Sequence, residues 1–137
     1  MKKRTPISKI MTTDILHVNK TQTLKEVAEI IKKEHIRHVP VLSGKKIIGM
    51  LSKVDLQKIS FINTIEGENL NSVINDALTI EQVMTKTIST VQVSDLIYDV
   101  ALILSKSEFH AIPVLDGEDL VGIVTSTDLI KYLVSQF

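Results

Sequence analysis

Two short stretches hold the residues best suited to chemistry. Ser52-Lys53-Val54-Asp55-Leu56 and Thr125-Ser126-Thr127-Asp128-Leu129 each set a hydroxyl three residues before a carboxylate. Gly49 and Gly122 stand three residues before the hydroxyls, so both stretches read Gly-x-x-[Ser/Thr]-x-x-Asp-Leu. An apolar, strand-like run leads into each one and a helical pattern follows. That spacing puts the hydroxyl at a strand exit and the carboxylate one turn into a helix, where both can point the same way. Two chemistries are open to such a pair. Hydroxyl and carboxylate can satisfy each other's backbone N–H groups as a capping box, which stabilises a helix start and binds nothing. Alternatively, the carboxylate accepts from two hydroxyls of a ligand, while the Ser or Thr and the unpaired N–H groups of the first turn face an anion. The motif alone does not choose between them, since both copies need a cap.

Other constellations in the chain offer less. His35-x-x-His38 lacks a third ligand, and Pro40 with its β-branched neighbours places His38 at a strand start, so no metal site is expected. Asp116-Gly117-Glu118-Asp119 has the residues of a hairpin turn and too few oxygen donors for a calcium loop. No glycine-rich phosphate loop, no Gly-x-Ser-x-Gly elbow and no nucleophile paired with a base is evident. The expectation is therefore a protein with no catalytic residues and no required cofactor. Lys2-Lys3-Arg4 is too short for a nucleic-acid patch and is expected to be a solvated tail.

Composition narrows the class. The chain has 137 residues, with 16 Lys and Arg against 16 Asp and Glu, so nothing in its charge favours nucleic acid or a membrane surface. It has no cysteine, and it shows neither a secretory leader nor an apolar run long enough for a bilayer, which makes the cytoplasm the expected location. A hydrophobic content of 44% with only 4% aromatic predicts a core of Ile, Val and Leu in an α/β arrangement.

The elements that must position the two motifs repeat at a fixed offset of 73 residues without a gap. Met11-Thr12 matches Met84-Thr85, Val27-Ala28 matches Val100-Ala101, and Pro40-Val41-Leu42 matches Pro113-Val114-Leu115. Between 7–59 and 80–132 there are 17 identities in 53 positions. This is an internal duplication, with 1–59 as the first repeat and its tail, 60–79 as a connector and 80–137 as the second repeat. Each copy is short enough that the two are expected to pack on each other. Within a copy, Asp14 to Val18 and Thr87 to Val91 read as short strands, and Thr21 and Ser94 read as N-caps. Leu24, Val27, Ala28, Ile30 and Ile31, and likewise Ile97, Val100, Ala101, Ile103 and Leu104, then fall at helical spacing. The strands HVPVL and AIPVL follow, then turns at SGKK and DGEDL, second strands IIGML and LVGIV, and a helix beginning near Asp55 or Asp128. Each copy is β-α-β-β-α. The connector has a short helix expected around Leu70 to Leu78. Leu56, Ile59, Leu129, Leu133 and Val134 on the last helices are expected to divide between core and dimer surface.

Met-Thr near the start of each unit, the His/Ala-x-Pro-Val-Leu strand, the Gly-flanked turn and Gly-x-x-[Ser/Thr]-x-x-Asp-Leu together resemble the cystathionine-β-synthase (CBS) domain. Two in tandem resemble a CBS pair, or Bateman module, over all but the N-terminal tail and the connector. The resemblance implies two repeats packed about a pseudo-two-fold axis and a regulatory binding module. It implies an adenosine-containing ligand, AMP, ADP, ATP or S-adenosylmethionine, in clefts between the repeats. It also implies a homodimer and, since the chain has no room for an output domain, a protein partner in trans. Nucleic acid and membrane are not expected as partners.

Carried over residue by residue, the resemblance assigns ribose to Asp55 and Asp128 and phosphate to Ser52 and Thr125. Arg37, His38 and Leu16 would share a cleft with Thr125 and Asp128, while His110, Phe109 and Ser89 would share the other with Ser52 and Asp55. The first of these has the better cationic complement. A solvated strand entrance is the alternative role for Arg37 and His38. Two departures from the family pattern bear on this. The first copy has Ser43-Gly44-Lys45-Lys46 after its strand, without the acid that the second keeps at Asp116. Ala111 stands where the first copy has His38, so the two clefts are expected to differ in affinity. A purely structural CBS-pair dimer without ligand affinity is the competing expectation.

Overall fold

A computed structural model describes residues 4–65 and 78–137. The chain divides into two compact units: an insert unit, Leu16–Ile88, and a terminal unit made of Met1–Ile15 with Ser89–Phe137. The duplication in sequence and this division in space are different partitions. The opening of the first repeat folds with the second, and the opening of the second folds with the first.

The insert unit contains β1 (Val18–Asn19), α1 (Leu24–Glu34), β2 (His38–Ser43), β3 (Lys46–Ser52), α2 (Lys53–Ile65) and α3 (Ile80–Val83). The terminal unit contains a 3-10 turn (Ile7–Lys9), β4 (Val91–Gln92), α4 (Ile97–Ser105), β5 (Ala111–Asp116), β6 (Asp119–Thr125) and α5 (Ser126–Ser135). β1 runs parallel to β2 through Val18↔Val41, and β2 is antiparallel to β3 from His38↔Ser52 to Ser43↔Lys46. The terminal unit repeats this pairing, with Val91↔Val114 in parallel and Ala111↔Thr125 to Asp116↔Asp119 antiparallel. Both hairpins turn through two residues, with Gly44 at φ 65° and Gly117 at φ 67° in the first loop position. A positive φ there is the requirement of a tight hairpin turn, and glycine meets it without steric cost.

The α/β class and the β-α-β-β-α order of each repeat are as the sequence predicts, but three local features differ. The first strands are two residues long, because parallel pairing begins only at Val18 and Val91, which are buried, whereas Asp14, Leu16 and His17 upstream are exposed. The N-cap of α1 is Thr23, not Thr21. Thr23 accepts from Glu26 N in a capping box, while Thr21 donates through its N–H and hydroxyl to Asn19 Oδ1. Hydrogen bonds from Gln22 and from Thr23 hold the Glu26 carboxyl below its usual range. In the second copy the matching position is Leu96, so α4 starts with no side-chain cap, and Ser94 does not serve as one. The equal spacing of hydroxyls at 21 and 94 misled, because the cap position is one where the copies diverge. The connector helix expected around Leu70 to Leu78 lies outside the described residues except at its end. There, Thr79 caps α3 through Gln82.

Each unit buries its own aliphatic cluster. Val18, Leu24, Val27, Val39, Val41, Leu51 and Ile80 are fully buried in the insert unit, with Leu56 and Ile59 of α2 almost so. Ile7, Val100, Ile112, Val114 and Val124 are fully buried in the terminal unit. Ile7 and Ile80 occupy matching places in the duplication, yet each is buried in the unit formed mainly by the other repeat. On α5, Leu129 packs against the core, whereas Leu133 and Val134 are exposed.

The repeated Met-Thr explains how these exchanged segments are held. Thr12 N and O bond Ile123 O and N, both at 2.8 Å, and Thr85 makes the same pair with Met50 at 2.9 Å. Such close pairing needs a bare neighbour on the strand. A Cβ on Gly49 would lie 2.5 Å from Met84 Sδ and 2.9 Å from Thr85 O; on Gly122 it would lie 2.5 Å from Met11 Sδ and 3.2 Å from Thr12 O. The Met side chains can move, whereas the Thr85 carbonyl is fixed by its pairing. Gly49→Ala should therefore destabilise the protein by about 1–3 kcal/mol in urea denaturation, and Gly122→Ala by clearly less. Equal losses would show that backbone crowding at Thr85 is not what selects glycine.

Candidate functional site

The hairpin register builds the candidate site in each unit. In the insert unit His38 lies opposite Ser52, and one step further Lys53 N donates to the carbonyl of Arg37 at 2.8 Å. Ser52 thus leaves β3 beside the residues that precede Pro40, and the chain turns at once into α2. Asp55, one turn in, accepts from Ser52 N through Oδ2 at 3.0 Å, while Asp55 N donates to Ser52 Oγ at 3.0 Å. The terminal unit repeats the arrangement. Ala111 lies opposite Thr125, Ser126 N donates to His110 O at 2.9 Å, Thr125 N donates to Asp128 Oδ2 at 2.9 Å, and Asp128 N donates to Thr125 Oγ1 at 3.1 Å.

Leu16, Arg37, His38, Ser52 and Asp55 accordingly belong to the insert unit, and Ser89, Phe109, His110, Thr125 and Asp128 to the terminal unit. Ser52, Asp55, Thr125 and Asp128 are half-buried, while Arg37, His38, His110 and Ser89 are exposed. Leu16 and Phe109 are also exposed, at 45% and 37%. The register brings Arg37 and His38 beside the Ser52 motif and His110 beside the Thr125 motif. Leu16, Ser89 and Phe109 make no hydrogen bond to either motif among the described residues.

Both motifs are therefore capping boxes, with reciprocal bonds that match the sequence alternative. Capping does not exhaust them. A carboxylate offers about four acceptor positions, and Asp55 spends one; its Oδ1 accepts no hydrogen bond among the described residues. Ser52 Oγ and Thr125 Oγ1 accept from the helix and still carry a hydroxyl proton to donate. The helix N-terminus adds a positive potential at the same end of the hairpin. Capping and ligand acceptance can coexist on one side chain, because they use different lone pairs.

One neighbour of the motif was missed from sequence. Thr12 Oγ1 donates to Asp128 at 3.3 Å to each carboxylate oxygen, a long, shared bond. The recurrence of Met-Thr marked Thr12 as notable, but only the folded pairing with Ile123 brings it to Asp128. Its counterpart Thr85 makes no such bond to Asp55 among the described residues. No group of three or more His, Asp or Glu that could hold a metal ion occurs among the described residues. None of the described helices is long and apolar enough to cross a membrane.

A family model of the CBS domain matches residues 7–61 and 80–135, most of the chain. The chain belongs to the CBS-domain family. Among solved structures, the CBS domain pair of protein MJ0100 in complex with 5′-methylthioadenosine and S-adenosyl-L-methionine shares 24% identity and a TM-score of 0.71, covering 97% of this chain and 98% of that one. CBSX2 in complex with AMP shares 20% identity and a TM-score of 0.78, covering 96% and 97%. A homoserine O-acetyltransferase of Methanococcus vannielii is 27% identical over 126 residues, which cover 90% of this chain and 24% of that protein. This CBS pair spans less than half the length of the first curated relatives it matches, 46% at most.

If the reciprocal bonds at Thr125 carry the start of α5, Thr125→Ala should cost about 0.5–2 kcal/mol of ligand-free stability and Thr125→Ser should restore most of it. Chemical denaturation measures both, and an unchanged midpoint for the alanine variant would remove the cap from the account.

Proposed function

We propose that this CBS pair is a regulatory, non-enzymatic module of the cytoplasm that binds an adenosine-containing ligand and passes its occupancy to a protein partner, acting as a homodimer. The observation that carries this reading is the hairpin register. In each unit it sets a basic residue, Arg37 or His110, opposite the residue that follows the motif hydroxyl, at the N-terminus of a helix. Cation, hydroxyl and carboxylate then lie near one hairpin end at the positive end of a helix, and these are the groups a phosphorylated or sulfonium nucleoside requires. Asp55 and Asp128 take the ribose hydroxyls. Ser52, Thr125, Arg37, His38 and His110 face the phosphate or its replacement, and Leu16, Phe109 and Ser89 line the base. S-adenosyl-L-methionine, 5′-methylthioadenosine and AMP, the ligands of the two structural neighbours, have adenosine in common, which supports the ligand class.

A structural module without ligand is the second reading. It is favoured by the capping bonds, which by themselves account for both carboxylates.

The two readings separate in one experiment. With AMP, ADP, ATP, 5′-methylthioadenosine or S-adenosylmethionine at about 100 times its dissociation constant, the ligand should add roughly 2.7 kcal/mol of stability in a thermal-shift assay. Asp128→Asn keeps an oxygen for Thr125 N but loses the charge, so it should lower ligand affinity while ligand-free stability changes little. No shift with any of the five ligands would leave the structural role.

A further inference from the structure

The terminal unit turns an apolar helix face outward. Along α4 and its C-cap, Asp99, Leu102, Ile103 and Lys106 fall at i, i+3, i+4 and i+7, which lines them up on one side of the helix. All four are exposed. So are Tyr98 and, on α5, which packs against α4, Ile130, Leu133 and Val134. The duplication shows that the fold does not require this. On the same order of elements in the insert unit, the positions of Tyr98, Leu102, Ile130 and Leu133 hold Lys25, Glu29, Gln57 and Ser60. One copy has a solvated face where the other has an apolar one, and an outward apolar patch marks an interface. The charges differ in their engagement as well. Glu26, the match of Asp99, is bonded to Gln22 and Thr23 at the start of α1, whereas the Asp99 carboxylate and the Lys106 ammonium have no hydrogen bond or ion pair among the described residues.

The stripe on α4 reads acid, apolar, apolar, base. A two-fold axis between Leu102 and Ile103 turns that order into its own complement, so α4 laid antiparallel on a second α4 sets each Asp99 against Lys106 of the partner subunit. We infer that α4 and α5 of the terminal unit form the interface with a second copy of this chain, with the two α4 helices crossing antiparallel at Leu102 and Ile103. This rests on the homodimer reading above and specifies what that reading leaves open, the unit and the face. Tyr98, Ile130, Leu133 and Val134 surround the crossing, and the two ion pairs set its direction. The insert unit is excluded from the same contact. There the axis would bring two Glu29 carboxylates side by side, which repel.

Sedimentation equilibrium of the full chain without ligand measures the dimer dissociation constant. Leu102→Glu, which installs the residue of the other copy, should raise it by about a hundredfold or more, since two carboxylates then enter the centre of the contact. Glu29→Leu, the reverse exchange in the insert unit, should leave it unchanged. Asp99→Lys should raise it by roughly tenfold, and adding Lys106→Glu to that variant should bring it back to within about threefold of wild type, because both pairs return with their signs exchanged. Circular dichroism confirms that each variant is folded. A dimer indifferent to both Leu102→Glu and Asp99→Lys would overturn this interface and leave the homodimer reading intact. Weakening by Asp99→Lys that Lys106→Glu does not repair would overturn the antiparallel crossing. A wild type that is monomeric at every concentration would overturn the interface and the homodimer reading together.

Discussion

The register of two β hairpins, β2 with β3 and β5 with β6, governs where every chemically useful group of this protein lies. Side chains on a strand alternate faces with a period of two, so a one-residue slip would exchange the two faces of the strand and misplace every buried side chain on it. Val39, Val41 and Leu51 in one unit, and Ile112, Val114 and Val124 in the other, hold that alternation in place through burial. The two-residue turns at Gly44 and Gly117 set a register one residue out of step with this one, and an irregularity between Val41 and Leu42, and between Val114 and Leu115, takes up the difference. Once it is set, the hydroxyl that ends β3 or β6 must emerge beside the residues before the strand proline. The helix that follows must begin at that point.

Closing each hairpin is the task of a segment from the other repeat. Met11-Thr12 pairs along β6 and Met84-Thr85 along β3, and each Met lies over a glycine that leaves it room. The result is a chain in which Leu16–Ile88 forms one compact unit inserted into another whose two parts are distant in sequence. Ile7 is fully buried although it stands close to the N-terminus, because it completes the core of the terminal unit. Non-local contacts of this kind cost more loop-closure entropy than pairing within a repeat, so the cores and the glycine contacts must supply the compensation.

Duplication fixed the backbone twice and left the side chains to diverge. Thr23 became Leu96 at a helix cap, His38 became Ala111 at a strand entrance, and the Arg37 and Lys53 pair became His110 and Ser126. None of these changes disturbs the register, since each falls on an exposed or half-buried position. The two motifs are therefore alike in geometry and unlike in charge. A carboxylate that caps its own helix is held rigidly while keeping lone pairs for another partner, and so the caps at Asp55 and Asp128 do not oppose the binding role proposed for them.

Much of the fold was legible without coordinates. The gapless offset revealed two copies. Strands of β-branched residues with turn residues between them revealed the hairpins, and the helical spacing of Leu24 to Ile31 and of Ile97 to Leu104 revealed the first helices, because composition, periodicity and turn residues are local properties. The motif at Ser52 and Thr125 was legible for the same reason, including its capping alternative. What the sequence could not disclose were the partners of the short segments. Whether Asp14 to Val18 pairs as a strand, which threonine caps α1, and which repeat receives Met11-Thr12 all depend on neighbours far along the chain. The sequence by itself determined the elements, their order and the two motifs. Only the tertiary structure decided that the Met-Thr segments cross to the opposite repeat, that Thr12 reaches Asp128 and that the backbone of Lys53 bonds that of Arg37, because these follow from packing and pairing between residues that no local pattern connects.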